Sequence, residues 1–303
     1  MTDIKNNTPK ISLGPVLYYW SEEELRNFYD EVAVSSVDIV YLGETICSKR
    51  RSFNFEGWME VAGQLADAGK EVVLSAMALL EAESELKTLR KICDNGRFMV
   101  EANDMGAVNL LAGKGPFVAG HGINTYNQHS LAVLAKQGLS RWVLPVELGK
   151  ETLAAMQKER PQGVETEVLA YGRIPLAYSA RCYTARHRNL PKDDCQLCCL
   201  DYPDGLELKS QEGQPFLALN GIQTQSAQTY SLLNELDDVM AYGVDILRIS
   251  PQSQRTIEVI EAFRQAINNP DLGKQLQQEI IPFMPTAPCD GYWNNRPGIE
   301  QSA

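Results

Sequence analysis

Histidine is nearly absent from this chain: only His121, His129 and His187 occur in 303 residues. There is no HExxH stretch and no recognisable Ser–His–Asp arrangement, which argues against the common protease chemistries. Long apolar runs are missing as well. The longest, VDIVYL and EVVLSAMALL, fall short of the roughly 20 residues that a membrane helix needs. No GxGxxG follows the first predicted strand, which weakens a dinucleotide-binding reading. Positive charge is in the minority. Lys and Arg number 28 against 39 Asp and Glu, for a net charge of −11, so the chain has no general field for holding nucleic acid. The opening residues, MTDIKNNTPK, lack the apolar core of a signal peptide. Together these absences predict a cytosolic protein with reduced thiols and no direct membrane insertion.

Cysteine is also scarce, at seven residues, an odd number that suits no simple disulfide framework. Its distribution is far from even. Cys182, Cys195, Cys198 and Cys199 fall within eighteen residues, in ARCYTARHRNLPKDDCQLCC, leaving only Cys47, Cys93 and Cys289 elsewhere. Thiols that serve packing are scattered, whereas thiolates that share an ion or a cluster bunch along the chain. The stretch therefore reads as part of a metal or iron–sulfur site.

The rest of the chain alternates strand and helix. Strands are predicted at ISLGPVLYYW, VDIVYLGE, KEVVLSAM, RFMVEA, PFVAGHGI, RWVLPVEL, TEVLAYGRIPLAY, FLALNG and VDILRISP. Helices are predicted from Ser21, with Ser21 and Glu24 as a capping box, and from near Asn54, Glu81, Asn103, Tyr126, Gly149, Ala227 and Ser253. In the helix of residues 54–69, Trp58, Val61, Ala62, Leu65 and Ala66 share a face. Gly69, Gly138 and Gly243 stand where helices hand over to strands. Alternation at about thirty residues per unit predicts a parallel sheet closed as a TIM-like (β/α) barrel, complete or distorted, in one domain over 1–303. A doubly wound open sheet is the alternative. The rhythm breaks between about 180 and 216, where the cysteines lie, and long excursions from a regular fold are usually functional.

A tetrahedral site needs four donors. The loop offers Cys182, Cys195 and Cys199, with Cys195-x2-Cys198 as a competing pairing. Cys47 closely follows the second strand and Cys182 follows TEVLAYGRIPLAY, so a barrel brings both to one mouth. Cys93, inside a helix, reads as a small buried hydrophobe, while Cys289 in the tail stays open as a ligand. A zinc ribbon shows two CxxC knuckles and this chain has one; a cluster tolerates irregular spacing, and both metals stay open on this ground. Lys49, Arg50, Arg51, Arg181, Arg186, His187, Arg188 and Lys192 flank the cysteines and would favour thiolates or an anion. His121 ends a strand at the predicted mouth. Asn124 and Asn127 precede a helix as caps. Glu44, Glu101 and Glu147 close three strands, placed for acid–base work or for pairing with the arginines.

The stretch LAYGRIPLAYSARC resembles the signature of the collagenase-like peptidase family of unknown catalytic type. More closely, the chain resembles the members of that family that serve oxygen-independent ubiquinone biosynthesis. The resemblance runs through SLGPVLYYW, YLGETICSKRR, PFVAGHGINTYN, RWVLPVEL, the cysteine loop, LNGIQT, RISPQ and CDGYW. It implies a [4Fe–4S] cluster held by Cys47, Cys182, Cys195 and Cys199, leaving Cys198 spare. It also implies a heterodimer with a paralogue, a sterol-carrier-like lipid-carrier protein as helper, and hydroxylation of the ring of ubiquinone precursors without molecular oxygen. The alternatives are a zinc-stabilised binding or scaffold protein, and a peptidase of unknown catalytic type.

Overall fold

The computed structural model describes residues 8–302; the stretch 1–7, read above as lacking a signal segment, lies outside the described residues. Strands and helices alternate as β1 (Lys10–Leu13), α1 (Glu22–Val34), β2 (Ile39–Leu42), α2 (Phe55–Asp67), β3 (Glu71–Ser75), α3 (Glu83–Cys93), β4 (Met99–Ala102), α4 (Met105–Leu111), β5 (Phe117–Ala119), α5 (Gln128–Lys136), β6 (Leu139–Val143), α6 (Lys150–Lys158) and β7 (Glu165–Tyr178). An excursion follows: α7 (Tyr183–His187), β8 (Leu206–Lys209), β9 (Pro215–Asn220) and β10 (Gln223–Ser231). The alternation resumes with α8 (Leu236–Ala241), β11 (Ile246–Ile249) and α9 (Thr256–Asn268), then α10 (Gly273–Ile280) and β12 (Pro288–Cys289).

Strands β1 to β7 pair in order, all parallel, and β11 pairs with both β1 and β7. The sheet is thus a closed eight-stranded barrel ringed by helices, which sets aside the open doubly wound alternative. Side chains alternate across its wall, as the strand period requires. Ile11, Leu13, Val40 and Leu42 join the core under the helices. Ile39, Tyr41, Val73, Val118, Val143 and Ile246 form a separate cluster.

Local signals act as read. Ser21 and Glu24 cap α1 reciprocally. Val61, Ala62 and Leu65 of α2 are buried, with Trp58 and Ala66 packed beside them. Gly69, Gly138 and Gly243 adopt φ of 85°, 111° and 68° behind α2, α5 and α8. The helix expected near Ala227 is instead strand β10. The barrel strand β7 overshoots its neighbours, and β10 pairs antiparallel with the overshoot, satisfying backbone groups that would otherwise lack partners. The sequence QTQSAQTYS, with its Thr and Tyr, suits that role. Strand β9 is likewise outside the barrel, antiparallel to both β8 and β10. The excursion therefore extends to Ser231, beyond the expected limit near 216.

The barrel interior holds charge. Glu167 of β7 accepts from Ser12 Oγ of β1 (2.5 Å), Tyr41 Oη of β2 (2.5 Å) and Arg248 Nε of β11 (2.7 Å). Arg248 Nη1 also donates to Glu101 of β4 (2.7 Å), whose other oxygen accepts from Ser75 Oγ of β3 (2.7 Å). At the opposite end, Arg141 of β6 donates to Glu71 and Glu165 (both 2.7 Å) and to Tyr41 Oη (3.2 Å). Burial alone would raise the Glu167 carboxyl. Arg248 and Arg141 more than offset it and hold the group below its ordinary value of 4.5.

Removing Arg248 leaves two buried carboxylates without their shared cation. Arg248→Met is expected to lower unfolding stability by about 3–5 kcal/mol, read from urea midpoints. A lowered folded-state carboxyl stabilises the fold above its unfolded value of 4.5, and that stabilisation is lost as pH falls through the lower folded value. Stability should therefore fall more steeply below about pH 4.5 in the wild type than in Glu167→Gln; equal slopes would contradict the assignment.

Candidate metal centre

The C-terminal ends of parallel barrel strands open on one face, and the cysteines gather there. After β2, Gly43 turns the chain with φ +136°, where a Cβ would meet the Ser75 carbonyl oxygen at 2.5 Å. Glu44 then accepts from the backbone N–H groups of Ile46 (2.8 Å) and Cys47 (3.0 Å), fixing the loop that carries Cys47. Across the mouth, β7 ends and Cys182 caps α7, its Sγ accepting from the Ala185 N–H at 3.5 Å. Cys47 and Cys182, far apart in sequence, both pack against Leu17, Ile46 and Ile222.

Cys195, Cys198 and Cys199 occupy a tight loop in which Gln196 and Leu197 are both left-handed, with φ of 51° and 53°. Such conformations cost non-glycine residues of order 1–3 kcal/mol each and persist only when surroundings enforce them. Here Cys198 N–H donates to Cys195 O (3.2 Å). Lys49 Nζ ties the two loops together through Lys192 O (2.7 Å) and Asp193 Oδ1 (2.9 Å). Lys192 in turn bonds Glu81 and the Ala180 carbonyl.

Electrostatics show which thiols are neighbours. Burial is the largest cause raising Cys47, Cys182 and Cys199, and nearby cysteines add to it in each case. Cys199 acts on Cys47, Cys47 and Cys195 act on Cys182, and Cys182 and Cys195 act on Cys199. Cys198 lies within the same group. Arg50 opposes the rise at Cys47 and Cys199. It is buried, with Nη1 on Leu17 O and Nη2 on Asn220 Oδ1, both at 2.7 Å, and Glu44 at 3.9 Å. The donor set suits a cationic centre: burial and neighbouring thiols favour the neutral form of Cys47, Cys182 and Cys199, and a metal that binds thiolates takes the place of their protons. Among the described residues, no three His, Cys, Asp or Glu side chains form a group that holds one metal ion. Thiolates that each bind a separate iron need not converge on one point.

The other expected groups divide. All seven cysteines are free. Cys93, at the end of α3 beside Asp94 and Lys114, is pushed up to about 11, mainly by burial. Cys289 of β12 is buried and pushed up to about 12, with Asp290 as its charged neighbour. No other cysteine acts on either. Arg51, Arg181, Arg186, His187 and Arg188 are exposed, and Arg188 pairs with Asp201 at 2.7 Å. His121 reaches the mouth, 3.3 Å from Tyr178 Oη, and burial lowers it to about 4. Asn127 caps α5 through the Ser130 N–H (2.9 Å), and Asn124 is left-handed. Burial raises Glu44 against the pull of Arg50; Glu101 belongs to the interior network; Glu147 is exposed and bonds Tyr126.

Sequence reasoning missed Arg173, Arg248, Glu167 and Tyr178. A usable signal was present: charged residues stand inside the strands GRIPL, ILRIS and TEVLA, whose other positions are largely apolar. A groove of about 1580 Å³ also runs from the Cys47 loop between α2 and α3, with Trp58, Met77, Leu79 and Leu80 among its walls.

Comparison with known proteins supplies the family. The model of peptidase family U32 matches residues 24–302. Among solved structures, the U32 peptidase Mk0906 is 12% identical, over 80% of this chain and 93% of its own, with a TM-score of 0.45. The tryptophan synthase α-subunit of Pyrococcus furiosus is 9% identical over 89% of this chain and 97% of its own, at 0.43. Dihydrodipicolinate synthase from Aquifex aeolicus is 7% identical over 90% and 80%, at 0.39. The family pattern thus begins in α1, runs through the barrel and the cysteine excursion, and reaches the chain's last described residue, so the chain belongs to peptidase family U32.

Proposed function

We propose that the chain is the iron–sulfur subunit of an oxygen-independent hydroxylase acting on the ring of ubiquinone precursors. The observation that carries the reading is the meeting of Cys47, from the end of β2, with the Cys182–Cys199 loop beyond β7, beside the buried Arg50. Cys47, Cys182, Cys195 and Cys199 would hold a [4Fe–4S] cluster. When bound, such a cluster supplies redox-active iron at the barrel mouth. Arg50 offsets the negative charge of the thiolates, Glu44 fixes the Cys47 loop, and Lys49 and Lys192 hold the two loops together.

The substrate assignment rests on the resemblance to UbiV, whose motifs are spread from SLGPVLYYW to CDGYW. It brings the paralogue UbiU as heterodimer partner and the lipid-carrier protein UbiT. Physical chemistry favours such helpers. A polyprenyl tail costs about 0.8 kcal/mol for each CH₂ exposed to water. No helix among the described residues is long and apolar enough to cross a membrane, so another protein would present the tailed ring. The name of the family does not by itself assign proteolysis, and neither HExxH nor a Ser–His–Asp arrangement is present.

Anaerobic purification with iron and sulfide assay tests the centre. Replacing Cys47, Cys182, Cys195 or Cys199 by Ala should each remove most of the iron, whereas Cys93→Ala and Cys198→Ala should keep it near wild type. Loss of iron in Cys198→Ala with retention in Cys199→Ala would reverse the ligand assignment, and zinc that survives prolonged exposure to air would replace iron in the reading.

The role is tested separately. Co-expression with the paralogue should yield a stable heterodimer, and this chain alone should show no hydroxylase activity. Deleting its gene should abolish ubiquinone made without oxygen and spare ubiquinone made in air. Equal losses under both conditions, or elution as a monomer beside the paralogue, would sink the assignment.

A further inference from the structure

One thiol of the cysteine loop has no part in the proposed ligand set. Cys198 is buried, at 8% exposure, and the cluster assignment leaves it spare. Its position is nonetheless enforced. Gln196 and Leu197 stand at φ of 51° and 53°, and the Cys198 N–H donates to Cys195 O at 3.2 Å. Two consecutive residues at positive φ, closed by that bond, form a type I′ turn, which favours Gly, Asn or Asp at both central positions. Gln and Leu have no such preference, so the turn is held against a local cost.

The turn sets the distance between its two ends. The first and last Cα atoms of a β-turn lie within about 7 Å, and a disulfide needs about 4.4–6.8 Å. Other pairings are less favourable. Cys198 and Cys199 are adjacent, and a trans peptide holds neighbouring Cα atoms about 3.8 Å apart, too close for an unstrained bridge. Cys199 is also engaged by the Arg50 guanidinium. Cys182 neighbours Cys198 as well, but its Sγ accepts from the Ala185 N–H at 3.5 Å. Cys195 and Cys198 are free thiols with no side-chain hydrogen bond among the described residues. Gln196 and Leu197 are exposed and Cys195 is half-buried, which gives a soluble oxidant access to Cys195.

We propose that Cys195 and Cys198 are a redox pair that closes into a disulfide when the site holds no metal. Closure takes Cys195 out of the donor set and reduction returns it, a consequence that rests on the proposed role of Cys195 as a ligand. Oxidised glutathione is a sufficient oxidant. The Cys195 thiolate attacks one glutathione sulfur, breaking the glutathione S–S bond and releasing one glutathione thiol. The Cys198 thiolate then attacks Cys195 Sγ and releases the second. The two protein thiols lose two electrons and two protons, which the two glutathione thiols carry away. A closed pair also keeps Cys195 from sulfinic and sulfonic acids, which do not return to the thiol unaided.

The full chain tests this once it is freed of metal by chelation under reducing conditions. It is then held without oxygen in mixtures of reduced and oxidised glutathione. Alkylation and mass spectrometry read the peptide 193–209, which carries Cys195, Cys198 and Cys199 and no other cysteine. As the oxidised share rises, this peptide should lose two thiols without gaining glutathione. Fragment ions of the wild-type peptide should place the bond between Cys195 and Cys198, with no need of a variant that folds. The bond should persist in Cys182→Ala and Cys199→Ala and disappear in Cys198→Ala, which should carry glutathione on Cys195 instead. A bond to Cys182 or Cys199, three free thiols at every ratio, or the same two-thiol loss in Cys198→Ala would overturn the proposal. Iron-loaded protein in the same mixtures should keep the pair open for as long as it keeps its iron. A Cys195–Cys198 bond in protein that retains its full iron would overturn the switch, and the iron content of Cys195→Ala decides the ligand role separately.

Discussion

Closing a barrel puts strands on all sides of one interior, and here a single buried carboxylate holds much of that interior together. Glu167 is fully buried on β7 and takes hydrogen bonds from β1, β2 and β11. Arg248 extends the network to Glu101 on β4, Ser75 joins it from β3, and Arg141 joins from β6 through Tyr41. Among the barrel strands only β5 is outside this chain of contacts. Apolar side chains would fill the same space without fixing which strand faces which. Charged groups with directional partners tie the register of each strand to the others, because a slip by one residue would bury a charge unpaired.

That register decides where the candidate site residues emerge. The strand ends set the positions of Gly43, Glu44 and Cys47 after β2, and of Cys182 after the long β7. The excursion between β7 and α8 is built on the part of β7 that outruns its neighbours, with β10 and β9 added antiparallel beside it. A platform of regular sheet thus carries an irregular loop, whose left-handed Gln196 and Leu197 group three cysteines together. Arg50 links the parts: its guanidinium bonds the loop after β1 at Leu17 and the end of β9 at Asn220. The same charge opposes the rise of Cys47 and Cys199.

Much of this was legible in the sequence, because the signals were local. The repeating strand–helix period announced the barrel, the capping box at Ser21 and the glycines behind helices marked boundaries, and the interruption after β7 marked the excursion. Cys47 and Cys182 are paired by a rule of topology that needs no coordinates. The failures are non-local. QTQSAQTYS forms a strand only because β7 offers an edge to it, which nothing within those residues states. Arg173, Arg248 and Glu167 matter through partners on distant strands, such as Glu101 lying 147 positions from Arg248. Only the isolation of such charges inside apolar strands hints at them.

The central claim is that the four cysteines at the mouth hold a four-iron cluster, and Mössbauer spectroscopy of iron-57-labelled protein, purified without oxygen, reads that most directly. The account predicts the signature of a four-iron, four-sulfide cubane with thiolate ligation in the wild type, absent from Cys182→Ala. A spectrum of mononuclear or two-iron sites, or a protein without iron and with stoichiometric zinc, would contradict it.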